Sequence, residues 1–420
     1  MKYTNQEDHA RCFALLAQHT YLSRFEDDTK GVRSLINEKK KTVKPQKGLE
    51  RFLNFYVPSK SRILITRNIT FNMDDAIPVF TDIAGETLEN LTIPKTLTFN
   101  YTDVNIINQV TERELARAVS MSQEKQNTIR CECSSSDPFV PCYENKQCSC
   151  YKMNVQMRCL QVEKEGYEPT EFATFKPSYF SHVRNKFYNY IGFACSDSCS
   201  CAGKCTNNSM MFIDNKTFPL EVIRTDKDYG FNVVSPVLIP AGTPVIEFVG
   251  EVVSEVNLNA ENVDYSYKVS YSDDEKWRLL IADAPLSDDY KQVIYDLSYH
   301  NFYIDPKKHG NIGRMIGHAC IPNLEVVRIF RKSLSPAHVS LVFVALEDIF
   351  PGTILSFDYG PAFAKTLKSY CQCGTFACRN NQKSDEYSKL SCADIALAIK
   401  DIHEIKHEMF EDRVMRPIRK

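Results

Sequence analysis

Ten of the 16 cysteines in this 420-residue chain fall between Cys131 and Cys205, and that crowding constrains the fold more than any other feature. The run CECSSSDPFVPCYENKQCSC supplies Cys131, Cys133, Cys142, Cys148 and Cys150, and CSDSCSCAGKC supplies Cys195, Cys199, Cys201 and Cys205, with Cys159 between them. Cys-x-Cys neighbours are too close in sequence for easy mutual disulfides, and in a reducing compartment such density points to metal. Nine thiolates satisfy three tetrahedral zinc ions if six are terminal and three bridge, since each bridge counts twice toward the twelve positions. The formal charge, +6 − 9, is tolerable where backbone N–H groups and cations surround the sulfurs. Ordinary zinc fingers and buried free thiols are the alternatives.

With 43% hydrophobic residues the chain can bury a substantial core, and its length allows two to three domains. A net charge of −2 gives no basic field, so strong direct nucleic-acid binding is not expected. The opening MKYTNQEDHARCFALL lacks the apolar run of a signal peptide, and no stretch approaches the roughly 20 apolar residues of a membrane span. The expectation is a soluble, intracellular protein with no membrane partner.

The first 60 residues carry a basic run, Lys39 to Lys44, and a short apolar face of Leu49, Phe52, Leu53 and Tyr56. Strand-like runs follow at Arg62–Ile65 and Thr96–Tyr101, and a polar stretch from Thr111 to Arg130 reads as helix. Beyond the cysteines the pattern is β, with β-branched runs at Val245–Phe248, Val326–Phe330 and Val339–Ala345. The last 40 residues repeat Ile395, Ile399, Ile402 and Met409 at helical spacing, an amphipathic helix expected to dock on its own chain.

The cysteine spacing, together with the segments KDYGFNVVSPVLIPAGTPVIEFVGEVVSE, HGNIGRMIGHACIPN and VALEDIFPGTILSFDYG, resembles the SET-domain histone lysine methyltransferases of the Su(var)3-9 type. The resemblance implies a mainly β SET fold, small curved sheets around a pseudoknot, flanked by zinc-binding regions and by helical N- and C-terminal segments. It divides the chain into an N-terminal region (1–60), a pre-SET region with a nine-cysteine, three-zinc cluster (61–206), a SET domain (207–363), a post-SET site (364–380) and a C-terminal tail (381–420). In CQCGTFAC, Cys371, Cys373 and Cys378 leave one tetrahedral position open; the resemblance assigns it to Cys320 of GHACIPN, a fourth zinc. It leaves Cys159 as packing, and Cys12 and Cys392 unassigned.

Transfer of a methyl group from the sulfonium of S-adenosylmethionine to an amine is an in-line displacement, so such an enzyme chiefly positions its reactants. The lysine must lose its proton, and an apolar aromatic channel beside a sulfonium lowers its pKa by desolvation and repulsion. By resemblance Tyr359 of FDYG is the catalytic tyrosine, and Phe357 and Phe248 line the channel. Relatives often carry tyrosine at position 248; two phenylalanines leave fewer hydroxyls to restrain the amine, an expectation of higher methylation states. Contacts to S-adenosylmethionine are assigned to Tyr229, Gly230, Tyr267, Arg314, Gly317 and His318.

Two positions depart from the family pattern. Gly317 replaces the asparagine of Asn-His-x-Cys-x-Pro-Asn, which hydrogen-bonds near the cofactor's methionine end; losing one charge-assisted bond costs about 1.5–3 kcal/mol, roughly ten- to a hundredfold in affinity. Asp228-Tyr229-Gly230 stands where Gly-Trp-Gly is usual. These departures keep open a catalytically silent SET module that binds or scaffolds chromatin. The expected activity is methylation of histone H3, at lysine 9 by the pre-SET type, in the nucleus on chromatin; another H3 lysine or a non-histone lysine is the alternative. The stretch 271–301 is an acidic insertion, read either as a negative rim for a basic histone tail or as a solvated loop. No targeting module is recognisable, so chromatin-targeting partners are expected.

Overall fold

The computed structural model describes residues 56–359 together with Cys373, leaving out 57, 74, 92–96, 111, 134–139, 141, 143–144, 158–161, 164–186, 189–190, 202–218, 227–229, 240–243, 259–265, 271–274, 320–321 and 347–348. The basic run at Lys39, the C-terminal helix, Cys12, Cys159 and Cys392 lie outside the described residues. None of the described helices is long and apolar enough to cross a membrane.

The first half of the described chain runs β1 (Ile63–Thr66), β2 (Val79–Thr81), β3 (Asn100–Tyr101), β4 (Ile106–Ile107), α1 (Arg113–Met121), α2 (Ser149–Met157), β5 (Val162–Glu163), β6 (Phe187–Tyr188) and β7 (Ile191–Phe193). The second half runs β8 (Glu221–Asp226), β9 (Gly230–Val234), β10 (Pro244–Phe248), β11 (Glu251–Ser254), β12 (Tyr267–Lys268), α3 (Glu275–Asp283), α4 (Asp288–Leu297), β13 (Phe302–Asp305), β14 (His309–Gly310), β15 (Gly317–His318), β16 (Leu324–Phe330), β17 (Val339–Ala345) and β18 (Ser356–Phe357). The strands form three four-stranded sheets, in the orders β1-β2-β8-β9, β10-β17-β16-β7 and β12-β13-β11-β4, and three two-stranded pairs.

The centre of the molecule is β17, VSLVFVA, every residue of which is buried. Its β-branched side chains suit a pleated surface covered on both faces, so it reads as a continuous apolar run. It pairs antiparallel with β16 from Leu324↔Ala345 to Phe330↔Val339, and with β10 from Pro244↔Val344 to Phe248↔Leu341. The one charge on β10, Glu247, is 5% exposed and lies 3.7 Å from Arg331, which also donates to Ser340. Buried charges persist only when paired.

The stretch before the SET segments does not stand apart from them. It supplies a parallel strand to each of four SET sheets: β2 beside β8, β4 beside β11, β3 beside β14 and β7 beside β16. A buried carboxylate adds to this: Glu112, just before α1, accepts from the Ser254 N–H at 2.7 Å and from Asn257 Nδ2 at 2.9 Å. Of the strand expected at Thr96–Tyr101 only Asn100–Tyr101 is paired, because β14 opposite is two residues long. The helix expected from Thr111 to Arg130 ends at Met121, where Ser122 Oγ turns back onto the Val119 carbonyl at 2.7 Å; a single 3-10 turn, Lys125–Asn127, follows.

The acidic insertion is not a solvated loop. Its described part is a pair of helices with Trp277, Leu280 and Ile281 buried on α3 and Tyr290, Val293, Ile294 and Leu297 buried on α4. Trp277 stacks against Phe330 of β16 at 5.0 Å, and the Tyr290 hydroxyl meets Ser333 Oγ at 3.0 Å. Ser287 caps α4 by accepting the Tyr290 N–H, and Asp288 and Asp289 sit in the first turn, where the helix dipole favours them. The acidic residues thus occupy the outer face of a packed hairpin, which alternation with apolar residues at helical spacing explains.

Candidate metal centre and active site

The two cysteine-rich segments converge. Cys131, Cys133, Cys142 and Cys148 have their sulfurs within 4.8 Å of one another, as do Cys131, Cys142, Cys150 and Cys195. The two tetrads share Cys131 and Cys142, the arrangement of bridging thiolates. Cys199 lies 3.9 Å from Cys150, and Cys201 is fully buried beside them. All nine described cysteines are unbridged. Cys148 and Cys150 flank the first residue of α2, whose N-terminus favours thiolate. The Cys131 and Ser196 N–H groups donate to Cys199 sulfur at 3.3 and 3.4 Å, and Asn145 Nδ2 donates to Cys133 at 3.6 Å.

Eight buried sulfurs without a cation are an unfavourable arrangement. Burial pushes the Cys133 thiol up to about 12, so its anion needs a positive partner. Soft, tetrahedrally grouped sulfur donors fit zinc. Cys205, Cys320, Cys371 and Cys378 lie outside the described residues, and Cys373 is described without them.

The second centre forms where β15 and β18 lie parallel, Gly317 against Ser356 and His318 against Phe357. This pairing brings GHAC beside FDY, two segments about 40 positions apart in sequence. The Ala319 N–H donates to the Phe357 carbonyl at 3.1 Å, and Asn323 clasps the same turn, donating to Ile354 O at 2.9 Å and accepting the Ser356 N–H at 2.9 Å. The Tyr359 N–H donates to His318 Nδ1 at 3.2 Å, the two rings meet edge-on at 5.4 Å, and the Tyr359 hydroxyl donates to the Ile316 carbonyl at 2.9 Å. Accepting at Nδ1 leaves the proton of a neutral His318 ring on Nε2. Asp358 lies 3.7 Å from the same nitrogen.

From Tyr359 an aromatic file runs inward. Phe357 is 4.5 Å from Tyr359 between ring centres, Phe343 is 4.8 Å from Phe357, Phe248 is 6.1 Å from Phe343, and Tyr267 is 6.4 Å from Phe248. Phe343, 1% exposed, joins the two expected phenylalanines and was not singled out in the sequence, where it is one apolar residue in a valine-rich run. Its place comes from register: Ile246↔Phe343 on one side and Val326↔Phe343 on the other.

The remaining expected contacts surround this file at different distances from it. Gly230 takes φ +74°, a conformation other residues adopt only under strain, while Asp228 and Tyr229 lie outside the described residues. Gly250 of EFVG is needed for another reason: a Cβ there would sit 2.5 Å from the Asp305 carbonyl oxygen. Arg328 stacks over Tyr267 at 5.3 Å. Arg314 directs its guanidinium to the carbonyls of Pro306 at 2.7 Å and Lys307 at 3.0 Å and covers the Phe99 ring at 4.6 Å, so it braces the loop before β14.

Residues 230–360 match the family model described as the SET domain. The histone-lysine N-methyltransferase, H3 lysine-9 specific, SUVH4 of Arabidopsis thaliana is 28% identical over 268 residues, covering 60% of this chain and 39% of that protein. The histone-lysine N-methyltransferase Su(var)3-9 of Drosophila melanogaster is 26% identical over 201 residues, covering 44% of this chain and 28% of that protein. Among solved structures, Arabidopsis thaliana SUVH6 in complex with SAM aligns with 21% identity over 76% of this chain and 56% of that one, with a TM-score of 0.48. The chain thus spans less than half the length of these two curated relatives. It is a SET-domain protein, similar in that domain and its flanks to histone-lysine N-methyltransferases of the Su(var)3-9 type.

Proposed function

We propose that this chain is an S-adenosylmethionine-dependent N-methyltransferase of histone H3, acting on lysine 9 in chromatin silencing in the nucleus. One observation carries the reading: the file Phe248, Phe343, Phe357 and Tyr359 ends on a phenol hydroxyl anchored to the Ile316 carbonyl. The bound cofactor supplies an electrophilic methyl group on sulfonium. The chain's own contribution is desolvation and aim. Aromatic walls disfavour the charged lysine and lower its pKa from about 10.4 toward neutrality. Because the Tyr359 proton is committed to Ile316, its oxygen lone pairs remain available to hold the amine in line.

Tyr229, Gly230, Tyr267, Gly317 and His318 are assigned to the cofactor, with Arg314 acting through the Pro306–Lys307 loop it braces. The nine pre-SET cysteines hold three zinc ions, and Cys320, Cys371, Cys373 and Cys378 hold a fourth. Phe248 and Phe357 leave room in the channel for higher methylation states. The histone H3 tail is the substrate partner, and targeting proteins bring the chain to chromatin. A silent histone-binding SET module is the second reading, and Gly317 is the observation that favours it.

Transfer to intact histone H3, followed by mapping of the modified lysine, tests the proposal. Tyr359→Phe is expected to lower the rate by about a hundredfold or more with the melting temperature retained. Full-rate transfer by that variant removes Tyr359 from the mechanism, and absence of cofactor binding by the parent chain leaves the silent module.

A further inference from the structure

Gly317 opens a notch beside the reactive tyrosine. It sits directly after Ile316, whose carbonyl anchors the Tyr359 hydroxyl, and before His318, whose Nδ1 accepts the Tyr359 N–H. A Cβ placed at position 317 would meet a single neighbouring atom within 4 Å, Asn232 Oδ1 at 3.8 Å. The notch is open space except for one carboxamide.

Asn232 comes from a different element. It lies in the middle of β9, where its backbone pairs with Ile223, two residues after Gly230 with its φ of +74°. Its side chain is half-buried and makes no hydrogen bond with any of the described residues. A carboxamide in that position has two donors and an acceptor unsatisfied by protein and pointed at the gap left by a missing side chain. Strands beside it bury apolar residues, Phe231 and Val233, on the opposite face, so β9 alternation itself aims Asn232 at β15.

We propose that Asn232 supplies, from β9, the carboxamide that position 317 lacks, and that it binds the polar methionine end of the methyl donor. This rests on the donor-binding reading above. An amide can donate to a carboxylate and accept from an ammonium, which are the two groups at that end of the molecule. The departure at Gly317 is then a relocation of the group from one strand to its neighbour, and the glycine is what makes room for it.

Calorimetric titration of the full zinc-loaded chain with S-adenosylhomocysteine, which binds without turnover, decides the matter. Asn232→Ala is expected to weaken binding roughly tenfold or more. Asn232→Asp, which keeps the shape but removes both N–H donors and adds negative charge, should weaken it as well and guards against a packing defect in the alanine variant. The double variant Asn232→Ala with Gly317→Asn should recover affinity to within about threefold of the parent, since position 317 has no positive φ and space for a side chain once Asn232 is shortened. Parent-like affinity in both single variants overturns the inference while leaving donor binding intact. Failure of the double variant to recover overturns the relocation. No binding by the parent chain overturns the donor-binding reading itself. Melting temperatures of the ligand-free variants identify any that fail to fold.

Discussion

The sulfur cluster and the aromatic file are held together in opposite ways. The cluster takes its donors from short-range repeats: Cys131 and Cys133, Cys148 and Cys150, Cys199 and Cys201 are each separated by one residue, so a single turn of chain presents two sulfurs to one ion. The file takes its rings from four strands far apart in sequence, β10, β12, β17 and β18, plus Tyr359 just beyond. Local spacing makes the first nearly inevitable once a metal is present. The second exists only when β10, β16 and β17 are in register and β15 lies beside β18. The chemistry is therefore built on the part of the molecule with the larger loop-closure cost, and the metal-rich part ties its ends together.

That contrast can be broken most severely at the metal. Chelation of the zinc-loaded chain is expected to remove on the order of 10 kcal/mol, with loss of the near-ultraviolet circular dichroism of the SET core as well as of the cluster, because β7 joins the cysteine region to β16. A core that stays folded after complete chelation would show the two regions to be independent. The next largest effect lies at the insertion hairpin. Trp277→Ala should cost about 3–5 kcal/mol in denaturant unfolding, since it empties the contact with Phe330 in the central sheet; a change below about 1 kcal/mol would show the hairpin to be peripheral.

Acid sharpens the comparison from the other side. His338 sits between Ser122 Oγ at 3.1 Å and Ser333 Oγ at 2.7 Å, joining the end of α1 to the loop that the insertion covers. Burial, with Lys332 and Arg331 nearby, pushes its pKa down to about 4 from 6.5. The unfolded chain binds the proton first as pH falls, so this contribution is complete above pH 6.5 and is lost between there and about 4, up to about 3 kcal/mol. The measurement is the unfolding free energy against pH for the parent and His338→Gln, and the variant should lack that segment of the slope. The smallest effect in energy is at the channel mouth. Phe248→Tyr should leave stability within about 1 kcal/mol while shifting products toward fewer methyl groups, read by mass spectrometry; an unchanged product distribution would remove Phe248 from control of the methylation state.

Much of this was legible beforehand. The runs at Val245–Phe248, Val326–Phe330 and Val339–Ala345 became β10, β16 and β17 within two residues at each end, because buried β-branched strands carry their own signal. Phe343 was not legible as part of the file, since nothing in a valine-rich strand marks which residue faces the site. The insertion misled because its acidic residues dominate its composition, whereas Trp277 and Tyr290, spaced for packing, decide its structure. Arg314 was grouped with the cofactor contacts, and the fold sends its charge to two backbone carbonyls instead.

Residue identity and short-range spacing thus determined the sulfur donors, the run of central strands and the glycine–histidine and aspartate–tyrosine motifs. Those are properties of the chain within a few residues of itself, where covalent geometry leaves little choice. Which motif lies beside which, where Phe343 points, that strands from before the cysteines complete the SET sheets, and that Asn232 faces the space at Gly317 were decided only in three dimensions. Such pairings depend on register across strands tens to hundreds of residues apart, and register is selected by the burial of the whole set of side chains at once.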